Sequence, residues 1–377
     1  MKNKNIPVDK IVEICENAAI SIGTSSTVKT FCSDTRKMKK DDLFISFKSE
    51  VNNNQEALEK GAMGVITDCE IPEKIAKKYS EKLLIKVQDV VKTIQKIAEY
   101  KRSLYDIPVV AITGSVGKTS TKEMVASVLE QKFNVSKTQG NYNNHIGVPL
   151  TILSWDENTE AAVVEMGMNH FGELKILTNI AKPTIAVITN IGTAHIGLLG
   201  SRENILKAKL EILEGLSKNG TVVINNDNDL LHNCDLEEYK KITYGIINKS
   251  DFMAYNISQN ELNSEFKIKL ENKEYTVFVP IAGEHFIYNS LCSIAIGKIL
   301  DIENKKIKSD KQKRALEFLI KNNEISSKDL ENFADVSTSI LKTLEKNGYI
   351  KFYEQTVERN PFIHKVIDSS SKLNLND

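Results

Sequence analysis

Ala111-Ile112-Thr113-Gly114-Ser115-Val116-Gly117-Lys118-Thr119-Ser120 follows the apolar run Pro108-Val109-Val110 and precedes a helical pattern. Strand, glycine turn and helix in that order predict a phosphate site. Gly114 and Gly117 let the backbone turn its N–H groups inward, and the helix opening near Lys118 adds its positive end. Lys118 can reach terminal phosphates, Thr119 sits where a hydroxyl can ligate Mg²⁺, and Ser115, Val116 and Ser120 line the same loop. The general pattern has a glycine where this chain has Ile112, so the loop is a shortened variant. A plain turn carrying a surface lysine is the competing reading, and the ordered run of signals weighs against it.

Further polar residues fall just beyond the carboxyl ends of apolar strands, where open α/β sheets collect ligands. Glu165 ends Ala161-Ala162-Val163-Val164 and precedes Met166-Gly167-Met168. It is either a solvated strand terminus or an Mg²⁺ ligand facing the phosphate loop. Asn190-Ile191-Gly192-Thr193-Ala194-His195 follows the next strand in the same way, and His195 could ligate a metal or orient one. Asn141-Tyr142-Asn143-Asn144-His145-Ile146-Gly147-Val148-Pro149 is a polar loop in which the Asn143 and Asn144 amides suit phosphate or sugar oxygens, although alone it reads as a turn.

Composition fits an intracellular protein of two or three domains: 377 residues, 41% of them apolar. Fifty basic and 50 acidic residues cancel, so no global field recruits nucleic acid or anionic membrane. The five cysteines (Cys15, Cys32, Cys69, Cys234, Cys292) are odd in number and lack a C-x-x-C pair, which disfavours a disulfide framework or zinc ribbon. The N-terminus leads into no apolar h-region, and no run approaches the ~20 residues of a membrane span. A cytoplasmic monomer is expected.

The organisation predicts an α/β protein in four regions. Residues 1–105 alternate short strands (Leu43 to Phe47, Gly64 to Thr67) with helical patterns (Gln55 to Lys60), a small α/β domain. Residues 106–302 alternate more cleanly: Val109 to Thr113, Ala161 to Glu165, Ile185 to Thr189 and Thr221 to Ile224 read as buried strands of a parallel sheet. Within that region residues 251–281 change to period two and read as an antiparallel appendage, closed by a helix from Glu284 to Leu300. Residues 303–310 are a linker. Residues 311–377 carry helical patterns at Gln312 to Lys321, Ser326 to Phe333 and Ser337 to Lys346, then Gly348-Tyr349-Ile350-Lys351-Phe352-Tyr353, which suggests a winged helix. From Asp301 onward there are 14 basic and 13 acidic side chains, so a strong electrostatic footprint is absent and any DNA binding is weak.

Taken together, Thr113 to Thr119, Asn143-Asn144 before Ile146-Gly147-Val148-Pro149, Glu165-Met166-Gly167-Met168, Asn190-Ile191-Gly192 with Ala194-His195, and Lys207-Ala208-Lys209-Leu210-Glu211-Ile212 resemble the Mur ligases, within them the members that add D-alanyl-D-alanine. Gly283-Glu284-His285-Phe286-Ile287-Tyr288-Asn289 and Asn225-Asn226-Asp227-Asn228-Asp229 match further motifs of that family, the first on its adenine side. The likeness covers residues 1–302. It implies an ATP-dependent amide ligase of cell-wall peptidoglycan synthesis that activates the carboxylate of a UDP-N-acetylmuramoyl tripeptide as an acyl phosphate, which D-alanyl-D-alanine then attacks. It further implies that Thr119 and Glu165 hold Mg²⁺, that His195 holds a second Mg²⁺, that Asn289 lies by the nucleotide, and that Lys209 is carbamylated. Without the resemblance, Lys209 reads as a solvent-facing lysine.

Ser33-Asp34-Thr35-Arg36 and Asp41 to Phe47 resemble the family's UDP-binding domain, which implies that Ser33, Thr35 and Arg36 contact substrate. The following loop, Ser49 to Gln55, is shorter than the family's. After Asp301 nothing resembles the family's third, Rossmann-like domain, and residues 311–377 look instead like the winged-helix segment of the primosomal replication-restart helicases, with Lys372 to Asp377 like the approach to their motor. The expectation is of two incomplete proteins joined near 302–310, with ligation impaired. Another nucleotide enzyme, such as a kinase or GTPase, and a non-catalytic chimera whose winged helix binds DNA or protein remain alternatives.

Overall fold

The computed structural model describes residues 4–16, 18–47, 53–302, 324–326, 330, 337–346, 350–353 and 372–375. The chain forms two compact units, one of residues 1–115, 134–222 and 238–240, the other of residues 116–133, 223–237 and 241–377.

The first unit begins with Ile6–Pro7 (β1), Val8–Ile14 (α1), Ala19–Ser21 (β2), Thr27–Val28 (β3), Phe31–Cys32 (β4), Leu43–Ser46 (β5), Asn53–Glu59 (α2), Gly64–Thr67 (β6), Glu73–Lys78 (α3), Leu83–Lys86 (β7) and Val90–Ser103 (α4). Strands β4, β5, β6 and β7 are parallel neighbours, and β2 joins the β7 edge antiparallel. Every residue of β5 and β6 is buried, as continuous apolar runs in a covered parallel sheet require. In α4, Asp89 caps the start by accepting from Lys92 N–H (2.9 Å), and Val90, Ile94, Ile97 and Ala98 recur on one helical face that is buried against the helices Gly147–Leu153 and Glu173–Ala181.

The chain continues through Val109–Thr113 (β8), Lys118–Leu129 (α5, in the second unit), Val135–Lys137 (β9), Gly147–Leu153 (α6), Ala161–Glu165 (β10), Glu173–Ala181 (α7), Ile185–Ile188 (β11), Ile196–Leu199 (α8), Arg202–Leu210 (α9), a 3₁₀ turn Glu211–Gly215, and Thr221–Asn225 (β12). Strands β9, β10, β8 and β11 lie side by side in that order, all parallel, with β8 between β10 and β11. The loops that leave the carboxyl ends of these strands therefore emerge on one edge, where a ligand crevice belongs.

The second unit contains α5, most of β12, Asp229–His232 (α10), Lys240–Gly245 (β13, from its second residue), Phe252–Gln259 (β14), Ser264–Leu270 (β15), Lys273–Val279 (β16) and Glu284–Ile299 (α11). The expected antiparallel appendage is present as β14–β15–β16, but it is not separate. Its first strand pairs parallel to β13 through Tyr244 and Phe252, so the sheet runs on through a change of direction. Helices α5 and α11 pack closely: a Cβ on Gly297 would lie 2.9 Å from Val128 Cγ1.

Near the C-terminus, Glu324–Ser326 (β17), Ile350–Tyr353 (β18) and Lys372–Leu375 (β19) form an antiparallel sheet with β19 in the middle, beside helix Thr338–Lys346 (α12). Ser326, expected to open a helix, instead ends a strand held by β19, and Lys372 to Leu375 supply the central strand of the sheet. The linker 303–310 and the helix expected at Gln312 to Lys321 lie outside the described residues, as do the loop 48–52 and residues 354–371.

Candidate active site

The phosphate loop is locked to its neighbour. Ser115 N–H donates to both the main-chain oxygen (3.1 Å) and Oδ1 (3.0 Å) of Asn190, and Gly192 N–H donates back to Ser115 Oγ (2.9 Å). A Cβ on Gly114 would overlap the Thr189 hydroxyl, so this close approach admits only glycine. Gly117 has φ of 81°, a left-handed conformation that turns the chain into α5. Beyond it Lys118 and Ser120 are half-buried, while Val116 and Thr119 are exposed.

Glu165, paired in register with Ile112, is 2% exposed at the end of β10. Asn143 Nδ2 donates to its Oε1 (2.8 Å), its own N–H donates to Thr138 Oγ1 (3.0 Å), and its Oε2 is buried without a partner. Asn144 turns its amide oxygen toward the chain itself, accepting from Ile146 N–H (3.1 Å) and Gly147 N–H (2.9 Å) at the start of α6. His195 is exposed with φ of 67° at the start of α8. Lys209 is 2% exposed, so the solvent-facing reading of that lysine is wrong: the inner face of α9 carries it along with Ile205 and Ala208.

In the second unit, Thr121 on α5 donates its hydroxyl to Asn289 Oδ1 on α11 (2.9 Å), leaving the buried Asn289 Nδ2 without a partner. Asp227 accepts from the N–H groups of Ile246 (2.5 Å), Ile247 (3.0 Å) and Asn248 (2.6 Å) and from Tyr288 OH (3.0 Å). Although burial opposes its charge, those amides hold its carboxyl below the usual range. Of the five buried side-chain polar atoms left unpartnered among the described residues, Thr113 Oγ1, Glu165 Oε2 and Asn289 Nδ2 all belong to motif segments. Orphaned buried polar atoms are rare enough in folded proteins to mark places where a ligand is expected.

The Ser33–Arg36 segment forms its own cluster in the first unit. Arg36 grips Asp34 through Nε (2.9 Å) and Nη2 (2.8 Å), which brings the Asp34 carboxyl down to about 2. Thr35 is buried, its carbonyl accepting from Lys60 Nζ (2.9 Å), and Ser33 is half-buried. Ser33, Thr35, Arg36, Gly114, Ser115, Asn143, Asn144, Glu165, His195 and Lys209 thus lie in the first unit, and Val116, Gly117, Lys118, Thr119, Ser120 and Asn289 in the second. No three His, Cys, Asp or Glu side chains cluster as a metal site among the described residues. Mg²⁺ does not need such a cage, because one or two protein oxygens and substrate phosphates suffice. Sequence reading did not single out Thr121 or Thr138, lone threonines whose partners lie 168 and 27 residues away.

Residues 112–297 match the Mur ligase middle domain. The chain is 40% identical over 274 residues to the UDP-N-acetylmuramoyl-tripeptide--D-alanyl-D-alanine ligase of Bacillus subtilis, spanning 71% of this chain and 58% of that protein. It is 30% identical over 346 residues to the ligase of the same name from Rickettsia prowazekii, spanning 80% of this chain and 76% of that protein. The crystal structure of the MurF ligase from Thermotoga maritima in complex with ADP superposes with a TM-score of 0.65 at 26% identity, covering 74% of this chain and 64% of that one. The chain spans about three-fifths of the length of several curated relatives it matches. With the phosphate loop, the Glu165 strand end and the Asn289 helix all inside the matched segment, the chain belongs to the Mur ligase family.

Proposed function

We propose that this chain carries out ATP-dependent activation of a UDP-N-acetylmuramoyl tripeptide for amide formation with D-alanyl-D-alanine. The observation that carries the reading is the 40% identity to a ligase of that name, together with a phosphate loop whose neighbouring strand ends in a buried carboxylate. The unpartnered Glu165 Oε2, the Thr119 hydroxyl and the hard oxygen character of both fit Mg²⁺, which when bound would neutralise charge on the transferring phosphoryl group. Gly114, Ser115, Val116 and Gly117 cradle the phosphates with their main chain. Lys118 neutralises the terminal phosphate, Ser120 supports it, and the Asn289 amide donates on the nucleotide side.

Ser33, Thr35 and Arg36 receive the uridine-diphosphate end of the substrate, and Asn143 and Asn144 its side nearer the phosphate. His195 would hold a second Mg²⁺, and Lys209, buried on α9, would carry a carbamate that converts its ammonium into an anion. In the reaction, the substrate carboxylate oxygen attacks the γ-phosphorus, the bond to the β-bridging oxygen breaks, and ADP leaves. The amine then attacks the acyl carbon, losing a proton as phosphate departs.

The test supplies ATP, Mg²⁺, UDP-N-acetylmuramoyl tripeptide and D-alanyl-D-alanine to the purified chain, following ADP and pentapeptide product separately. ADP formation that depends on the tripeptide and vanishes in Lys118→Ala supports the reading; tripeptide-independent turnover, or none, refutes it.

A second reading concerns residues 311–377. The three-stranded sheet beside α12, with Lys342 exposed on that helix, favours a winged-helix segment akin to that of the replication-restart helicases. Weak DNA binding there predicts salt-sensitive retention on duplex DNA that Lys342→Glu reduces; retention unchanged by that substitution counts against it.

A further inference from the structure

Glu211 makes contacts that its place in the chain does not suggest. It closes α9 and opens the 3₁₀ turn, two residues after Lys209. Its carboxylate reaches across 39 residues to cap a different helix, accepting from Gly172 N–H through both Oε1 (2.7 Å) and Oε2 (2.9 Å) and from Lys175 N–H (3.3 Å). Gly172 is the left-handed residue, φ 84°, that starts α7. Local residues do not cap that end, so Glu211 satisfies donors the first turn would otherwise leave open. The join continues along both elements. Thr178 donates its hydroxyl to the Ile212 carbonyl (2.7 Å), Lys175 pairs with Glu214 (2.8 Å), and Gly215 lies so close to the Thr178 carbonyl that no side chain fits.

The segment so held is the one that leaves Glu165. Residues 166–172 connect the end of β10 to the start of α7 and have no strand or helix of their own. Glu211 therefore fixes the far end of the loop whose near end is Glu165, while its own helix carries the buried Lys209. We propose that Glu211 is a positioning residue that holds the Glu165 loop and the Lys209 helix in one register. This rests on the roles proposed above for Glu165 and Lys209, but the mechanical tie itself stands apart from them.

The experiment separates the two. Amide hydrogen exchange of the wild-type chain, Glu211→Gln and Glu211→Asp is followed in peptides covering 166–178 and 202–210. In parallel, ADP affinity is measured with and without Mg²⁺, well below the unfolding temperature of each variant. Glu211→Gln is expected to speed exchange at least tenfold in both peptides, and to weaken Mg²⁺-dependent ADP binding at least tenfold while Mg²⁺-free binding changes less than twofold. Glu211→Asp is expected to recover part of each effect. Faster exchange confined to 172–176 means a local cap and overturns the proposal. So does an unchanged Mg²⁺ dependence in a wild type that binds ADP. If the wild type binds no ADP, the functional reading fails, and the exchange in 202–210 alone decides the tie.

Discussion

Glu165→Gln is expected to make the nucleotide-free protein more stable while abolishing its response to Mg²⁺. Glu165 is 2% exposed; Asn143 satisfies one carboxylate oxygen at 2.8 Å and nothing satisfies the other. A buried polar atom without a partner costs about 1–3 kcal/mol, and more when charged. Glutamine keeps the Asn143 bond through Oε1 and replaces an orphaned charged oxygen with an orphaned neutral amide, so the net gain is about 1–2 kcal/mol. At roughly 2–4 °C per kcal/mol for a unit of this size, the melting temperature rises by about 2–8 °C. The cost appears with ligand. A wild-type protein at a hundred times the dissociation constant of Mg²⁺·ATP gains about 2.7 kcal/mol, and the variant gains no more with Mg²⁺ than without. Thermal denaturation with and without ATP, each at zero and excess Mg²⁺, reads both effects. A variant that melts below wild type and retains the Mg²⁺ increment would refute the assignment of Glu165 as a strained ligand, leaving it a structural carboxylate.

Three further outcomes follow from the packing. Lys101, 2% exposed with Nζ on the Leu153 carbonyl (2.9 Å), is brought by burial down from 10.5 to about 8. The unfolded chain therefore holds the extra proton between those values, stability rises with pH across that window by about 3 kcal/mol from this group, and Lys101→Met removes the rise in denaturant titrations at pH 7.5 and 10. Gly114→Ala should destabilise the first unit by about 2–4 kcal/mol in a urea melt, because the new methyl overlaps the Thr189 hydroxyl between two interlocked loops; a loss below about 0.5 kcal/mol would mean the loops separate freely. Thr121→Val removes the hydroxyl that holds Asn289 and should weaken ADP binding several-fold in calorimetry with little change at the phosphate end, whereas an unchanged affinity would make that hydrogen bond purely structural.

What the sequence made legible was local. The glycines before Lys118, the carboxylate after Val164 and the asparagine loop before Pro149 are read from neighbours in the chain, and each falls at a strand end or helix start in the fold. What escaped reading depends on distant partners. Burial of Lys209 follows from how α9 packs, and nothing in its own helix distinguishes it from an exposed lysine. The short strand Val135–Lys137 is half-buried throughout and carries no alternation, and β13 begins with two exposed lysines, so neither has the apolar run of an interior strand. Ser326 follows Ile325 in what reads as a helix opening, and only the pairing with Lys372 makes it a strand.

The most direct test of acyl-phosphate chemistry places ¹⁸O in the terminal carboxylate of the UDP-N-acetylmuramoyl tripeptide and collects the inorganic phosphate released from ATP. Attack by that carboxylate on the γ-phosphorus carries one labelled oxygen into phosphate, whether the acyl carbon is then taken by the amine of D-alanyl-D-alanine or by water. One ¹⁸O is expected in each phosphate released together with pentapeptide, and both label and turnover are expected to be lost in Lys118→Ala. Unlabelled phosphate released in step with pentapeptide would contradict the account, because amide formation from an acyl phosphate breaks the carbon–oxygen bond and must leave the labelled oxygen on phosphorus.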